Sequence, residues 1–276
     1  MNAAAVSHVD MASSRSHADS QTMPTARLLG AYLTEIRLEL LRVSRAPVFV
    51  IPMVLLPPAL YFLFAVVIAG ASPDAQAHSA EVATFFFTGF ATFAVVGPAL
   101  FGVGCSIAIE RDQGLLRLKR AMPTPAGGYL LAKIIMATIF GAAAAGAVGV
   151  LALLAGKLTL SAAQVASIIG VLVAGTLPCS ALGLFIGTRV SGTAAPGLMN
   201  LVYLPMIYLS GLFFPLPKAL QSWSVIWPTR HMYQLALAAA HLPLPGKLDP
   251  RVSLAVLIAM LLVFGGLAIR RLARVG

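Results

Sequence analysis

Six long stretches of the chain carry no charged residue: between Arg45 and Asp74, Glu81 and Glu110, Lys133 and Lys157, Lys157 and Arg189, Arg189 and Lys218, and Arg251 and Arg270. A helix needs about 20 mostly apolar residues to cross the hydrocarbon of a bilayer, because every backbone polar group must be paired within the segment there. The shortest stretch, Val252 to Ile269, has 18 residues and crosses if Arg251 and Arg270 snorkel to opposite interfaces. The pattern therefore predicts an all-α membrane protein with six transmembrane helices, at about 47–70, 82–109, 130–155, 162–188, 196–213 and 251–269.

Two amphipathic regions flank these spans. Over residues 27–45, Leu29, Leu33, Ile36, Leu40 and Val43 recur at steps of four and three, with Arg37, Glu39, Arg42 and Arg45 on the remaining surface. That period predicts a helix lying in the membrane interface. The stretch from Phe213 to Pro250 is long for a loop and too apolar for free solvation, with Phe214, Pro215, Trp223, Trp227 and Tyr233 among its residues. One or two short re-entrant helices, broken at Pro228 and dipping into the outer leaflet, fit it best.

Basic residues set the orientation. With the N-terminus inside, fourteen Lys and Arg fall on the inner side and five, Lys157, Lys218, Arg230, Lys247 and Arg251, on the outer. The excess predicts a multi-pass protein of the cytoplasmic membrane with both termini cytoplasmic. Composition agrees, at 59% hydrophobic and 10% charged against about 25% charged in soluble domains. The formal charge of +10 reflects membrane orientation, not nucleic-acid binding, because the basic residues cluster between apolar runs. Residues 1–24 are rich in Ser, Ala and His without an apolar core, which predicts a disordered cytoplasmic tail and no cleaved signal. Cys105 and Cys179 lie inside apolar runs and suit buried packing better than a disulfide.

Chemistry of other kinds has little to work with. The nine acidic residues lie in tails, loops or span ends, whereas an ion-coupled transporter usually carries an ionisable group at membrane depth. The histidines, His8, His17, His78, His231 and His241, lack metal-ligand spacing, and neither H-E-x-x-H nor G-x-S-x-G occurs. Gly156-Lys157 resembles the end of a phosphate loop, but Leu158 follows where Ser or Thr is needed. No catalytic, cofactor or metal site is expected in this chain.

Two motifs remain. Glu110-Arg111-Asp112-Gln113-Gly114-Leu115-Leu116-Arg117-Leu118-Lys119-Arg120-Ala121-Met122-Pro123 precedes Tyr129-Leu130-Leu131-Ala132-Lys133, predicting one short charged helix with an apolar side, ended by Pro123 and Pro125. Ser210-Gly211-Leu212-Phe213-Phe214-Pro215 closes the fifth span, and Trp227-Pro228 follows a dozen residues later. Together they resemble the ABC type-2 permease family, over everything from about Thr25 onward, with one departure: Leu115 follows Gly114 where the family often has Thr. The resemblance implies a transmembrane domain over 25–276 and a permease subunit that pairs with a second, by default identical, six-span subunit. It also implies two copies of a separate ATPase, which would bind the ATP and Mg. Glu110, Arg111, Asp112, Gly114, Leu115, Arg117, Leu118 and Pro123 would then couple the permease to that ATPase, Leu115 and Leu118 filling a groove and the charges setting orientation.

Weaker signals concern a pathway. Phe85, Phe86, Phe87, Phe90 and Phe93 concentrate in the outer half of the second span, as lipid-facing packing or as a lining for an apolar substrate. Asn200, with Tyr203 and Tyr208 near it, should face the bundle or a pathway, because an amide is unfavourable in lipid. Gly183 and Gly187 form a G-x-x-x-G packing face. The cargo implied by the resemblance is an amphipathic small molecule, a lipid-like compound or a lipid-linked glycan, moved outward. A secondary transporter, or an ATPase-driven sensory or mechanical protein, are the alternatives.

Overall fold

The computed structural model describes residues 25–71, 79–121, 126–156, 158–244 and 248–275; the N-terminal tail and Pro123 fall outside them. Every regular element among these residues is helical. The amphipathic helix is α1 (Thr25–Ser44). The first apolar run is α2 (Pro47–Tyr61), continued to Ala71 through a π-helical turn over Phe62–Ile68. The second is α3 (Ser79–Gly97), a π turn at Pro98–Gly102 and α4 (Val103–Asp112). Pro98 has no N–H to give the turn before it, and a widened π turn is one way a helix absorbs that loss. Then follow α5 (Leu115–Ala121), α6 (Ala126–Leu154), and α7 (Ala162–Ala174) with α8 (Thr176–Gly187) in one run. Ser161 and Gln164 form a reciprocal capping box at the start of α7. The chain closes with α9 (Ala195–Tyr208), α10 (Lys218–Ser224), α11 (Pro228–Ala239) and α12 (Pro250–Val275).

Among the described residues five helices are long and apolar enough to cross a membrane: Pro47–Ala71, Ala80–Asp112, Gly127–Leu154, Ala162–Gly187 and Pro250–Arg274. The remaining expected crossing, 196–213, is helical only over the 14 residues of α9, about 21 Å at 1.5 Å per residue against a hydrocarbon core of about 30 Å. Gly211, with φ +73°, turns the chain there because a Cβ would be strained in that conformation.

The second and fourth apolar runs meet backbone to backbone. A Cβ on Gly183 would lie 2.6 Å from the Leu100 carbonyl oxygen, and one on Gly187 2.3 Å from that of Gly104. The G-x-x-x-G pair is therefore a packing face, seated at and just below the π turn of the second run. Further contacts gather several helix ends at one end of the bundle. Arg111 of α4 donates to the carbonyls of Gly187 (3.3 Å), the last residue of α8, and of Val190 (2.6 Å) just beyond it, and Arg271 near the end of α12 donates to Thr188 (2.9 Å). Helix α1 packs at that same end, against the start of α6.

Candidate functional site

At this end the polar sides of three helices close on a buried cluster of charge. Glu39 and Arg42 stand three apart on α1, and Tyr129 and Lys133 four apart on α6, so each pair shares a helix face. Lys133, none of it exposed, donates to Glu39 (2.9 Å) and to Glu110 of α4 (2.8 Å). Arg42 donates to Glu39 (2.6 Å) and also to Glu110, whose second carboxylate oxygen accepts from the Tyr129 hydroxyl. Glu39 and Glu110 are themselves only 6% and 5% exposed. Two cations, Lys133 buried and Arg42 about half exposed, thus balance two buried carboxylates, and such pairing makes burial of charge tolerable. Burial by itself would lower the pKa of Arg42, but the carboxylates of Glu110 and Glu39 outweigh it and hold it above its ordinary value.

The segment expected to run as one helix from Glu110 to Met122 is two. Helix α4 stops at Asp112, Gly114 takes φ +73°, and α5 starts at Leu115 in a new direction. Glu110, Arg111 and Asp112 all have partners within the chain, Asp112 while remaining exposed. Arg111 serves the turn after α8, and Asp112 accepts the Gly192 backbone N–H at 2.6 Å. Helix α5 is tied down by Lys119, which pairs with Glu35 of α1 and sits 4.3 Å over the Tyr129 ring. Its apolar residues divide: Leu116 is buried, while Leu115 and Leu118 are 37% and 61% exposed. Arg117 is exposed beside them.

The pathway candidates separate into two places. Phe86 and Phe90 belong to a stack of rings: Phe90 lies 4.7 Å from Phe213, 5.8 Å from Phe64 and 6.1 Å from Phe86. Phe87 and Phe90 are buried inside the bundle, while Phe85, Phe86 and Phe93 keep part of their surface exposed. Tyr203 packs on Phe93 and Phe101 and donates to the Phe93 carbonyl at 3.3 Å. One turn away, the exposed Asn200 amide donates to Pro196 at 3.2 Å. Asn200 and Tyr203 share a groove of about 310 Å³ with Pro52 and Met53 of α2 and Phe101 of the second run. Tyr208 lies apart, half exposed against Phe213.

At the opposite end, Pro228 opens α11 as its first residue. The hydroxyls of Ser210 and Thr229 meet, and both reach the Met206 carbonyl (2.5 and 2.8 Å). The close of α9 is thereby joined to the start of α11. Phe214, Pro215 and Trp223 stay exposed and Trp227 is half-buried. His231 is buried between the Val225 carbonyl (2.8 Å) and Ser253 of α12 (3.1 Å).

The two motifs singled out by their order thus lie on α4, α5 and the start of α6, beside the amphipathic α1. Residues 31–240 match the family model described as ABC-2 type transporter. The chain belongs to the ABC-2 type transporter family. It is also 27% identical over 197 residues, 70% of this chain and 78% of the relative, to a Bacillus subtilis (strain 168) protein named putative transport permease YvfS. It is therefore a multi-pass membrane component of a transporter. In this permease Glu110 opens the acidic-basic-acidic motif and Lys133 closes Tyr-Leu-Leu-x-Lys, so the two motifs contact each other directly. What reasoning from sequence missed is Glu39 and Arg42 as their partners. The signal available was Lys133 itself, a cation at the start of an apolar run that has to be paired.

Proposed function

We propose that this chain is the membrane-spanning permease subunit of an ATP-binding-cassette exporter, acting as a pair of identical subunits on two copies of a separate ATPase that binds ATP and Mg. The observation that carries this is α5: a seven-residue helix with Leu115 and Leu118 turned outward, clamped to α1 and α6 by Lys119. A helix so short is unstable alone, and two neighbouring exposed leucines suit an apolar groove on a partner. Through Glu35, Lys119 and the charge cluster, a push on α5 is delivered to α1, α4 and α6 together.

The chain makes six crossings, the fifth by α9 and the turn that follows it, with α10 and α11 re-entrant from the far side. The linkage of the ends of α4, α8 and α12 through Arg111 and Arg271 supports an even count, and the basic excess supports a cytoplasmic location for both termini. The cargo passes between the two copies along the Asn200 and Tyr203 groove; an amphipathic small molecule, a lipid-like compound or a lipid-linked glycan suits its apolar walls. The name of the B. subtilis relative, a transport permease, agrees with the reading.

Replacing Leu115 and Leu118 together by Asp should abolish co-purification with the ATPase and transport, while membrane insertion persists, because neither residue lies in a span. A double variant that still binds the ATPase and transports at the wild-type rate overturns this assignment.

A further inference from the structure

A second groove, of about 480 Å³, lies elsewhere on the permease, walled by α7 and α8 on one side and α11 and α12 on the other. It shares no residue with the groove at Asn200 and Tyr203. Small residues keep it open: Ala174 and Gly175 at the joint of α7 and α8, and Ala238 and Ala239 on α11. Met232 closes the floor at Gly175, where a Cβ would come within 2.4 Å of the Met232 methyl. On α12, Leu254, Ile258 and Leu261 line it. The nearby polar side chains do not open into it, since His231, Ser253 and Gln234 bond one another in the buried layer beneath. Such a groove left empty forfeits dispersion contacts, and both of its long walls are helices of membrane length.

One turn before Leu254, on the same side of α12, stands Arg251. It is exposed, and its guanidinium makes no ion pair among the described residues. The carboxylate of Asp249 is directed instead at the Arg251 backbone N–H, at 2.8 Å. From Arg251 to Leu261 the helix rises about 15 Å, half of a hydrocarbon core of about 30 Å. A cation at the interface above an apolar trough one leaflet deep is complementary to one class of molecule. We propose that this groove binds an anionic phospholipid of the leaflet at the α11 end, with an acyl chain in the trough and the headgroup phosphate on Arg251. The bound lipid fills the joint between α7 and α8 and fastens α11 to α12. This requires only that the chain is embedded in a bilayer and is independent of the export reading.

The test is native mass spectrometry of the full chain after equilibration with equimolar phosphatidylglycerol and phosphatidylcholine. Wild type should retain phosphatidylglycerol over phosphatidylcholine by about tenfold or more, about 1.4 kcal/mol. Arg251→Gln should erase the preference while a lipid is still held, and Ala174→Trp, which fills the trough, should release both. Should Ala174→Trp fail to fold, Ala239→Leu, checked by its thermal midpoint, takes its place. Equal retention of the two lipids by wild type, an undiminished preference in Arg251→Gln, or wild-type retention in a folded trough-filling variant each overturns the proposal. So does disulfide formation between two copies carrying Ile258→Cys in membranes, which would make this face a contact between subunits.

Discussion

Lys133 stands near the start of an apolar helix with no exposed surface and two carboxylates as its partners. Removing one member of a buried ion pair leaves the other uncompensated, at a cost of about 3–5 kcal/mol. Lys133→Met is therefore expected to lower the thermal midpoint sharply in detergent, because Glu39 and Glu110 would then share Arg42 alone. Adding Glu110→Gln to it should cost less than the sum of the two single changes, the mark of residues in one network. Additive losses, or a single loss under about 1 kcal/mol, would mean that water reaches the cluster. Half of this cluster was legible. Glu110 and Lys133 stood out as motif residues, but Glu39 and Arg42 looked like the solvated face of an amphipathic helix. Periodicity tells which face of a helix is polar and says nothing of what lies against it.

Among the elements, the long helices were plain in the sequence because a bilayer forces apolar length. The faces of those helices were not. The second run is apolar all round, so its pattern does not separate lipid from bundle, and Phe87 and Phe90 turned out to lie inside. The break between α4 and α5 at Gly114 was similarly hidden, since one glycine between helix-forming residues reads as a weak interior position. Helix α11 carries a testable pH dependence. Burial lowers the pKa of His231 below 6.5, although the Val225 carbonyl works the other way. The unfolded imidazole then takes up a proton at a pH where the folded one does not. Stability is full above about 6.5 and falls as pH drops through the window down to the depressed folded value. Acidification should thus raise thiol labelling of a cysteine placed at Ala236, which is fully buried, and His231→Gln should flatten that response. A labelling rate unchanged by acid in the native sequence counts against it.

For the molecule as a whole, the ends of α4, α8 and α12 meet through Arg111 and Arg271, and α1 packs at the same end. The exposed positions 127, beside the cluster, and 193, next to the Asp112 contact, should accordingly be labelled from one face when substituted by cysteine, and the exposed position 222 from the other. Under the basic-residue rule the first face is cytoplasmic. Labelling of position 222 from the cytoplasm in intact cells would overturn that orientation. The hydrophobic pattern alone made the expected crossing at 196–213 look like the others, because it counts apolar residues and does not see where Gly211 turns the chain. The charge cluster at this end of the bundle also has an electrical consequence. An elementary charge carried across a full membrane potential exchanges about 2.3 kcal/mol per 100 mV with the field. Glu39, Arg42, Glu110 and Lys133 sum to zero, so when α1, α4 and α6 shift as one body the field does no net work on these four charges. Transport in vesicles should then run at the same rate whether the membrane is polarised or short-circuited with an ionophore, and the Lys133→Met permease, with its balance lost, should be the one that responds to voltage.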